Sequence, residues 1–285
     1  MESMSGSPQD FIKGSIRLSA LPKIYFEIND VINDPESSFG DVAKIISNDV
    51  SLSVRLLRIV NSSFYNFPSE IDTISHAISI VGTRQLRDLA LATLVLAAFK
   101  GIPEEFVDMD SFWQHSVGCG IASWVIAINC EETNPEQYYL TGILHDVGRL
   151  IIFENHPENA REIMERCNAE NKIDYEVERE LLGFDHGPVG AALLTEWKLP
   201  PNLAEVLKNH HSPLEATEYS REAAILNLAD LFAKCMQLGS SGSPLIPHLE
   251  PEVWETIGMD VNSLPMLWNQ IENQFNDTIG IFLAE

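Results

Sequence analysis

Apolar residues recur along this chain three or four positions apart, the spacing of a helix face, and no sustained two-residue alternation interrupts them. In SSFGDVAKII, Val42, Ile45 and Ile46 share one face, while Ser38 with Asp41 three positions later has the form of a capping box. DVSLSVRLLRIVNS turns Leu52, Leu56, Ile59 and Val60 inward and leaves Arg55 and Arg58 able to reach water. AISIVG stops at Gly82; TRQLRDLALATLVLAAFKG starts from Thr83 and stops at Gly101, as capping chemistry predicts. The segments SFWQHSVGCGIASWVIAI, TGILHDVGRLIIF, NAREIMERCNAEN, GPVGAALLTEWKL and SREAAILNLADLFAKCMQLG read the same way, as do two closing stretches beginning at PEVWETIG and SLPMLWNQ. The expected fold is all-α.

The pattern breaks at KGIPEEFVDMD, where Gly101, Pro103 and four acids interrupt it. The expected organisation is a segment 1–20 with a first helix, a helical bundle over 21–105, and a second helical lobe with C-terminal helices over 106–285. Of the 285 residues 45% are hydrophobic, enough for a full core. Forty-two acids against 18 Lys plus Arg give a formal charge of −24, which repels phosphate polymers and anionic lipid, so neither nucleic acid nor membrane is an expected partner. Cys119, Cys130, Cys167 and Cys235 form no CxxC pair and read as reduced thiols filling the core. MESMSGSPQD lacks a basic stretch followed by an apolar one, and no segment reaches membrane-spanning length; the expected location is the cytoplasm.

TGILHDVGRLIIF sets His145 and Asp146 side by side in an apolar run, where Leu or Ala packs better. Burying an ionised carboxylate costs several kcal/mol unless a metal, an ion pair or a hydrogen-bond network compensates it. Similar residues follow at helix positions or ends: His115 before the pair, then Asp185–His186, His210–His211 and Asp230. Any one of these alone is most simply a hydrogen-bonded histidine or aspartate. Together, imidazoles and carboxylates without thiolates form a borderline-to-hard donor set suited to Zn, Fe, Mn, Ni or Co rather than Ca.

The order of these motifs resembles the HD superfamily of metal-dependent phosphohydrolases, and more densely its HDOD branch (HD-related output domain) of bacterial signalling proteins. The resemblance runs from about Leu21 to Gln237. It rests on LPKIYFEINDVI, IISNDVSLSVRLLRIVNSSFY and ISHAISIVGTRQLRDLAL in the first half, and on FWQHSVGCGIA, GILHDVGRL, ERELLGFDHGPVGAALLTEWKLP, LKNHHSP and ILNLADLFA in the second. It implies an N-terminal helical bundle packed against an HD-like helical lobe. Carried over by residue, it makes His115, His145, Asp146 and Asp230 ligands of one divalent ion, with Asp146 bridging to a second held by His186, His210 and His211. In hydrolytic relatives two such ions activate a water and clamp a phosphate. Asp146 would then be catalytic, and Arg149, one turn beyond His145, would face a phosphate oxygen or else form a surface ion pair.

The chain departs from the hydrolytic pattern after His211, where SPLEATEYS lacks the Gly-Tyr-Pro element of the branch that cleaves cyclic di-GMP. HDOD relatives are regarded as output modules, so the implied function is a regulatory module acting on signalling proteins or a small phosphorylated ligand. The alternative is a phosphohydrolase acting on a nucleotide or other phosphoester. Asn61 and Ser62 are expected to cap loop backbone and Trp197 to anchor the core, while His76, His156 and His248 belong to no motif and are expected at the solvent face or as caps. SHAISIVGTRQLRDLALATL has the proportions of a helix-turn-helix reader, with Arg84 and Arg87 near the start of its second helix. LALATLVLAA is too apolar for a groove-facing helix, which favours a hairpin within a bundle.

Overall fold

The computed structural model describes residues 6–14, 21–62, 65–99, 102–243 and 245–283. The helices are α1 (Pro8–Ile12), α2 (Lys23–Asn33), α3 (Phe39–Asn48), α4 (Val50–Val60), α5 (Ile74–Val81), α6 (Thr83–Ala98), α7 (Met109–Asn129) and α8 (Pro135–Leu144). They continue as α9 (Val147–Asn155), α10 (Pro157–Glu170), α11 (Asp174–Leu182), α12 (His186–Glu196), α13 (Pro201–Lys208), α14 (Ser220–Cys235), α15 (Pro251–Ile257) and α16 (Leu264–Leu283). Among the described residues there is no strand, so the fold is all-α.

The local signals hold where they can be followed. Ser38 and Asp41 form the capping box of α3, with the Ser38 backbone N–H donating to the Asp41 carboxylate at 2.9 Å. Gly82, at φ 102°, ends α5 and begins α6, a backbone conformation that a side chain would strain. Helix α6 closes at Ala98; the stop expected at Gly101 lies outside the described residues. Asn61 caps loop backbone in both directions: its amide donates to the Leu57 and Ile71 carbonyls, and its side-chain oxygen accepts from the Ile71 N–H at 2.7 Å. Trp197 is buried beside Phe99.

Helices α2 to α6 pack as one bundle around α6, which is buried at nearly every position from Leu86 to Leu96. The hairpin α5–α6 is thus part of a bundle core. Helix α7 is the axis of the second half, with α8, α14 and α16 against it, and α9, α12 and α13 form a neighbouring layer. Contacts of α6 with α8 and of α4 with α16 join the halves, and one hydrophobic cluster runs through both. Helix α1 lies on α9 and α12, its Phe11 ring 3.9 Å from that of His156. His156 is therefore half-buried in an aromatic contact, unlike His248, which is exposed. Cys119 is buried as expected, whereas Cys235, on the outer face of α14, is exposed.

The run TGILHDVGRLIIF is not one helix. Helix α8 ends at Leu144 and α9 begins at Val147, with Asp146 at φ −95°, ψ 6° serving as the N-cap position of α9. The two helices follow different partners, α8 packing on α6 and α7, α9 on α1 and α12. That division is tertiary, and no Gly or Pro at the corner announces it.

Candidate metal centre

Five elements deliver the donors. His115 comes from the middle of α7, His145 and Asp146 from the α8–α9 corner, His186 from the first residue of α12, His210 and His211 from just beyond α13, and Asp230 from α14. Close helix approaches bring them together. A Cβ at Gly142 of α8 would lie 2.5 Å from Gly120 Cα of α7, and one at Gly148 of α9 would lie 2.0 Å from the His186 carbonyl oxygen. Only glycine permits these crossings.

At the centre, His115 Nε2 lies 3.1 Å from Asp230 Oδ1 and 3.8 Å from Asp146 Oδ2, and His145 Nε2 lies 3.2 Å from Asp146 Oδ2 and 3.7 Å from Asp230 Oδ1. The other oxygen of Asp146 faces the opposite way, 2.9 Å from His186 Nε2, which in turn lies 2.9 Å from His211 Nε2. His210 sits between the sets, its ring 5.5 Å from that of His145 and 5.3 Å from that of His186. The donors thus fall into two groups sharing Asp146: His115 and His145, with Asp230 beside them, and His186, His210 and His211. All seven residues expected from sequence meet in one place.

Hydrogen bonds on the far side of the rings fix which nitrogen faces inward. His145 Nδ1 donates to the Gly142 carbonyl at 2.7 Å, His210 Nδ1 to the Leu207 carbonyl at 2.6 Å, and His186 Nδ1 to the Glu178 carboxylate at 2.7 Å. A carbonyl only accepts, so these bonds place the proton on Nδ1 in the neutral ring and leave the Nε2 lone pair free for a cation. Lys234 donates to Asp230 Oδ2 at 2.6 Å and leaves Oδ1 pointing inward. His115 Nε2, His145 Nε2, His210 Nε2, Asp146 Oδ2 and Asp230 Oδ1 are buried and make no hydrogen bond of acceptable geometry. Leaving each such group unsatisfied costs about 1–3 kcal/mol, and more for a charged one. Divalent ions held by the two donor sets would satisfy them, and the donor chemistry fits such ions.

The electrostatics of the bare cluster match this reading. Burial works against the charged form of Asp146, yet the neighbouring His145 and His186 hold its carboxyl well below the usual range. Burial also opposes protonation of His186, but Glu178 and Asp146 outweigh it and lift the imidazole to about 9. His210 moves the other way, to about 3, through burial and then the charges of His186 and His145. Burial opposes protonation of His145 as well, but Asp146 outweighs it and raises that imidazole well above its usual value, so protons on His186 and His145 stand in for part of the missing positive charge.

Three contributors were not singled out in the sequence. Glu178 orients His186 from α11, where it reads as one acid among several in DYEVERELLG; Lys234, four residues beyond Asp230, reads as half of a surface i,i+4 pair yet is nearly buried. Asp174 is the partner of Arg149. That ion pair is buried, each side chain 5% exposed, and the guanidinium packs over Phe153, so the surface pairing considered from sequence is replaced by an internal one.

The fold and the donor set define a helical HD-type protein with a His/Asp cluster. The HDOD domain family model matches residues 18–213, and the chain belongs to that family. Asp230 and Lys234 lie beyond the matched residues, so their place in the cluster rests on geometry. The fold resembles the crystal structure of an HDOD domain protein with unknown function from Geobacter sulfurreducens, at TM-score 0.80 and 24% identity, covering 98% of this chain and 97% of that one. A Shewanella amazonensis protein, provisionally named a phosphohydrolase, aligns at TM-score 0.73 and 28% identity over 95% of this chain and 99% of that one. An uncharacterised Treponema pallidum protein is 25% identical over 199 residues, and this chain spans 38% of its length. No described helix is long and apolar enough to cross a membrane.

Proposed function

We propose that the chain is a bacterial signal-transduction module whose His/Asp centre binds one or two divalent ions as part of the fold, and which acts through signalling proteins or a small phosphorylated ligand. The observation that carries this reading is the depth of the centre: His115, His145, Asp146, His186, His210 and Asp230 are each no more than 2% exposed, and only His211, its ring stacked on Tyr175, is partly exposed. A structural metal site is filled by protein donors, whereas a catalytic one keeps a coordination position for water and substrate, and donors buried this deeply favour the first. Free cysteines and the absence of a membrane-length helix among the described residues fit a cytoplasmic setting.

A second reading, phosphoester hydrolysis, draws on the two-sided use of Asp146 and on the Shewanella relative's name. Divalent ions held by the two donor sets would supply an activated water and a clamp for phosphate. The chain's own part is to hold each Nε2 lone pair inward, through Gly142, Leu207 and Glu178, and to keep Asp146 ionised. Arg149 serves as a phosphate ligand only after leaving Asp174.

The test is elemental analysis of protein purified without added metal, beside assays of nucleotides and a generic aryl phosphate with Mn or Fe. The expected result is bound metal, parallel loss of metal and stability in Asp146→Ala, and no turnover by wild type. Metal-dependent turnover abolished by both Asp146→Ala and His145→Ala assigns the enzyme instead, and wild-type protein that binds no divalent ion overturns both readings.

A further inference from the structure

A cavity of about 220 Å3 lies among α8, α13 and the start of α14, the helices that lead into His145, His210 and Asp230 of the cluster. Its lining includes the buried Thr141 of α8 and Val206 of α13, together with Tyr219 and Glu222 at the start of α14. By proportion to the 150 Å3 cavity that accepts benzene, the space holds about nine non-hydrogen atoms.

The lining specifies the charge of an occupant. It contains two carboxylates, Glu132 and Glu222, and no lysine, arginine or histidine. Glu132 is held by Arg221 from outside the cavity at 2.7 Å, while Glu222 has no ion-pair partner among the described residues. Glu222, half-buried in the first turn of α14, is steadied by the helix N-terminus but meets no side-chain cation. Burial first, then the charges of Glu132 and Glu222 and a hydrogen bond to Glu132, push the Tyr138 hydroxyl well above the usual phenol range, against the opposing charge of Arg221. Tyr138 and Tyr219 give aromatic surface of the kind that attracts a desolvated ammonium group, and Asn134, Gln137 and Asn202 offer neutral donors and acceptors.

We propose that this cavity binds a small organic monocation, a primary or quaternary ammonium compound, its charge against Glu222 and its body against Tyr138 and Tyr219, with a hydroxyl group met by the carboxamides. Anions find no cationic partner in this lining. The position of the cavity couples it to the cluster. Thr141 precedes His145 by four residues, Val206 precedes His210 by four, and Glu222 precedes Asp230 by eight, or about 6, 6 and 12 Å along the respective chain paths at helical rise. The three helices also pack on one another. An occupant that shifts their packing changes metal affinity, and the metal changes the occupant's affinity by the same factor. This coupling rests on the metal reading above; the binding itself does not.

Isothermal titration of the full chain with choline, ethanolamine and phenethylamine tests the cavity, with 3,3-dimethylbutan-1-ol as the uncharged shape-equivalent of choline. At least one cation is expected to bind saturably at one per chain, the neutral alcohol at least tenfold more weakly than choline if choline is that cation. Glu222→Gln is expected to reduce the affinity at least tenfold, and Asn202→Phe, which fills the space, to abolish it. Circular dichroism and thermal unfolding verify that each variant folds; should one fail, the other decides. Absence of binding by all three cations overturns the proposal, as does binding indifferent to charge or to the folded variants. Repeating a Mn2+ titration with the bound cation at saturation reads the coupling, expected as a change of threefold or more. Unchanged Mn2+ affinity overturns the coupling alone, and absence of Mn2+ binding with cation binding intact overturns the metal reading alone.

Discussion

Gly148→Ala is the most incisive perturbation of the centre, because the added atom falls between α9 and α12 and not among the donors. The new Cβ would sit 2.0 Å from the His186 carbonyl oxygen and 2.7 Å from Gly190 N, both backbone atoms, whereas real Cβ contacts essentially never fall below 3.0 Å. The helices must therefore part by about 1 Å, the deficit over that limit. Overpacking of this kind costs about 1–3 kcal/mol. The displacement also acts directly on His186, and metal–ligand distances tolerate only about 0.2 Å. Metal affinity is expected to fall at least tenfold, the lower range for disturbing a metal site's supporting contacts. Gly190→Ala on the facing helix is the control: its Cβ meets nothing closer than 3.5 Å, and alanine favours a helix by about 1 kcal/mol over glycine. Urea unfolding of the metal-free proteins and Mn2+ titration of each measure the two effects. If Gly148→Ala matches Gly190→Ala in both, the crossing does not set the geometry of the centre and the reasoning fails.

Arg149→Met leaves Asp174 as an uncompensated buried charge and is expected to destabilise by about 3–5 kcal/mol, while Arg149→Met with Asp174→Asn recovers much of that loss in denaturant unfolding. Metal binding is expected to tighten with rising pH, because ligation needs neutral rings and both His186, lifted to about 9, and His145, raised by Asp146, must lose their protons; Glu178→Gln removes the leading cause that raises His186, so Mn2+ binding below about pH 9 is expected to tighten in a titration series. In the metal-free protein the sign is opposite: the raised His186 contributes stability that is complete below about 6.5, its unfolded value, and is lost as pH rises through about 9. Duplex DNA is expected to bind no more tightly than about 10⁻⁴ M at physiological salt, given the charge of −24; a tighter, salt-sensitive complex abolished by Arg84→Ala with Arg87→Ala would contradict this.

Sequence alone determined the helical class, the signals Ser38–Asp41 and Gly82, and the donor inventory. Helical period, the Ser38–Asp41 box and the Gly82 stop are local, set by side-chain spacing and backbone conformation within a few residues, so they are readable before any fold exists. The histidines and aspartates were likewise legible, because their types and order carry the chemistry and the resemblance. Tertiary structure decided what those residues do. The corner at His145–Asp146 arises because α8 and α9 pack on different neighbours, which periodicity does not encode. The two-sided use of Asp146, the partnership of Glu178 with His186 and the burial of Arg149 on Asp174 join residues from separate helices. Charges that look solvated along the chain become internal once α9, α11 and α14 close around them, and in that low-dielectric setting pairing and orientation, not residue type, determine which atoms remain free for a metal.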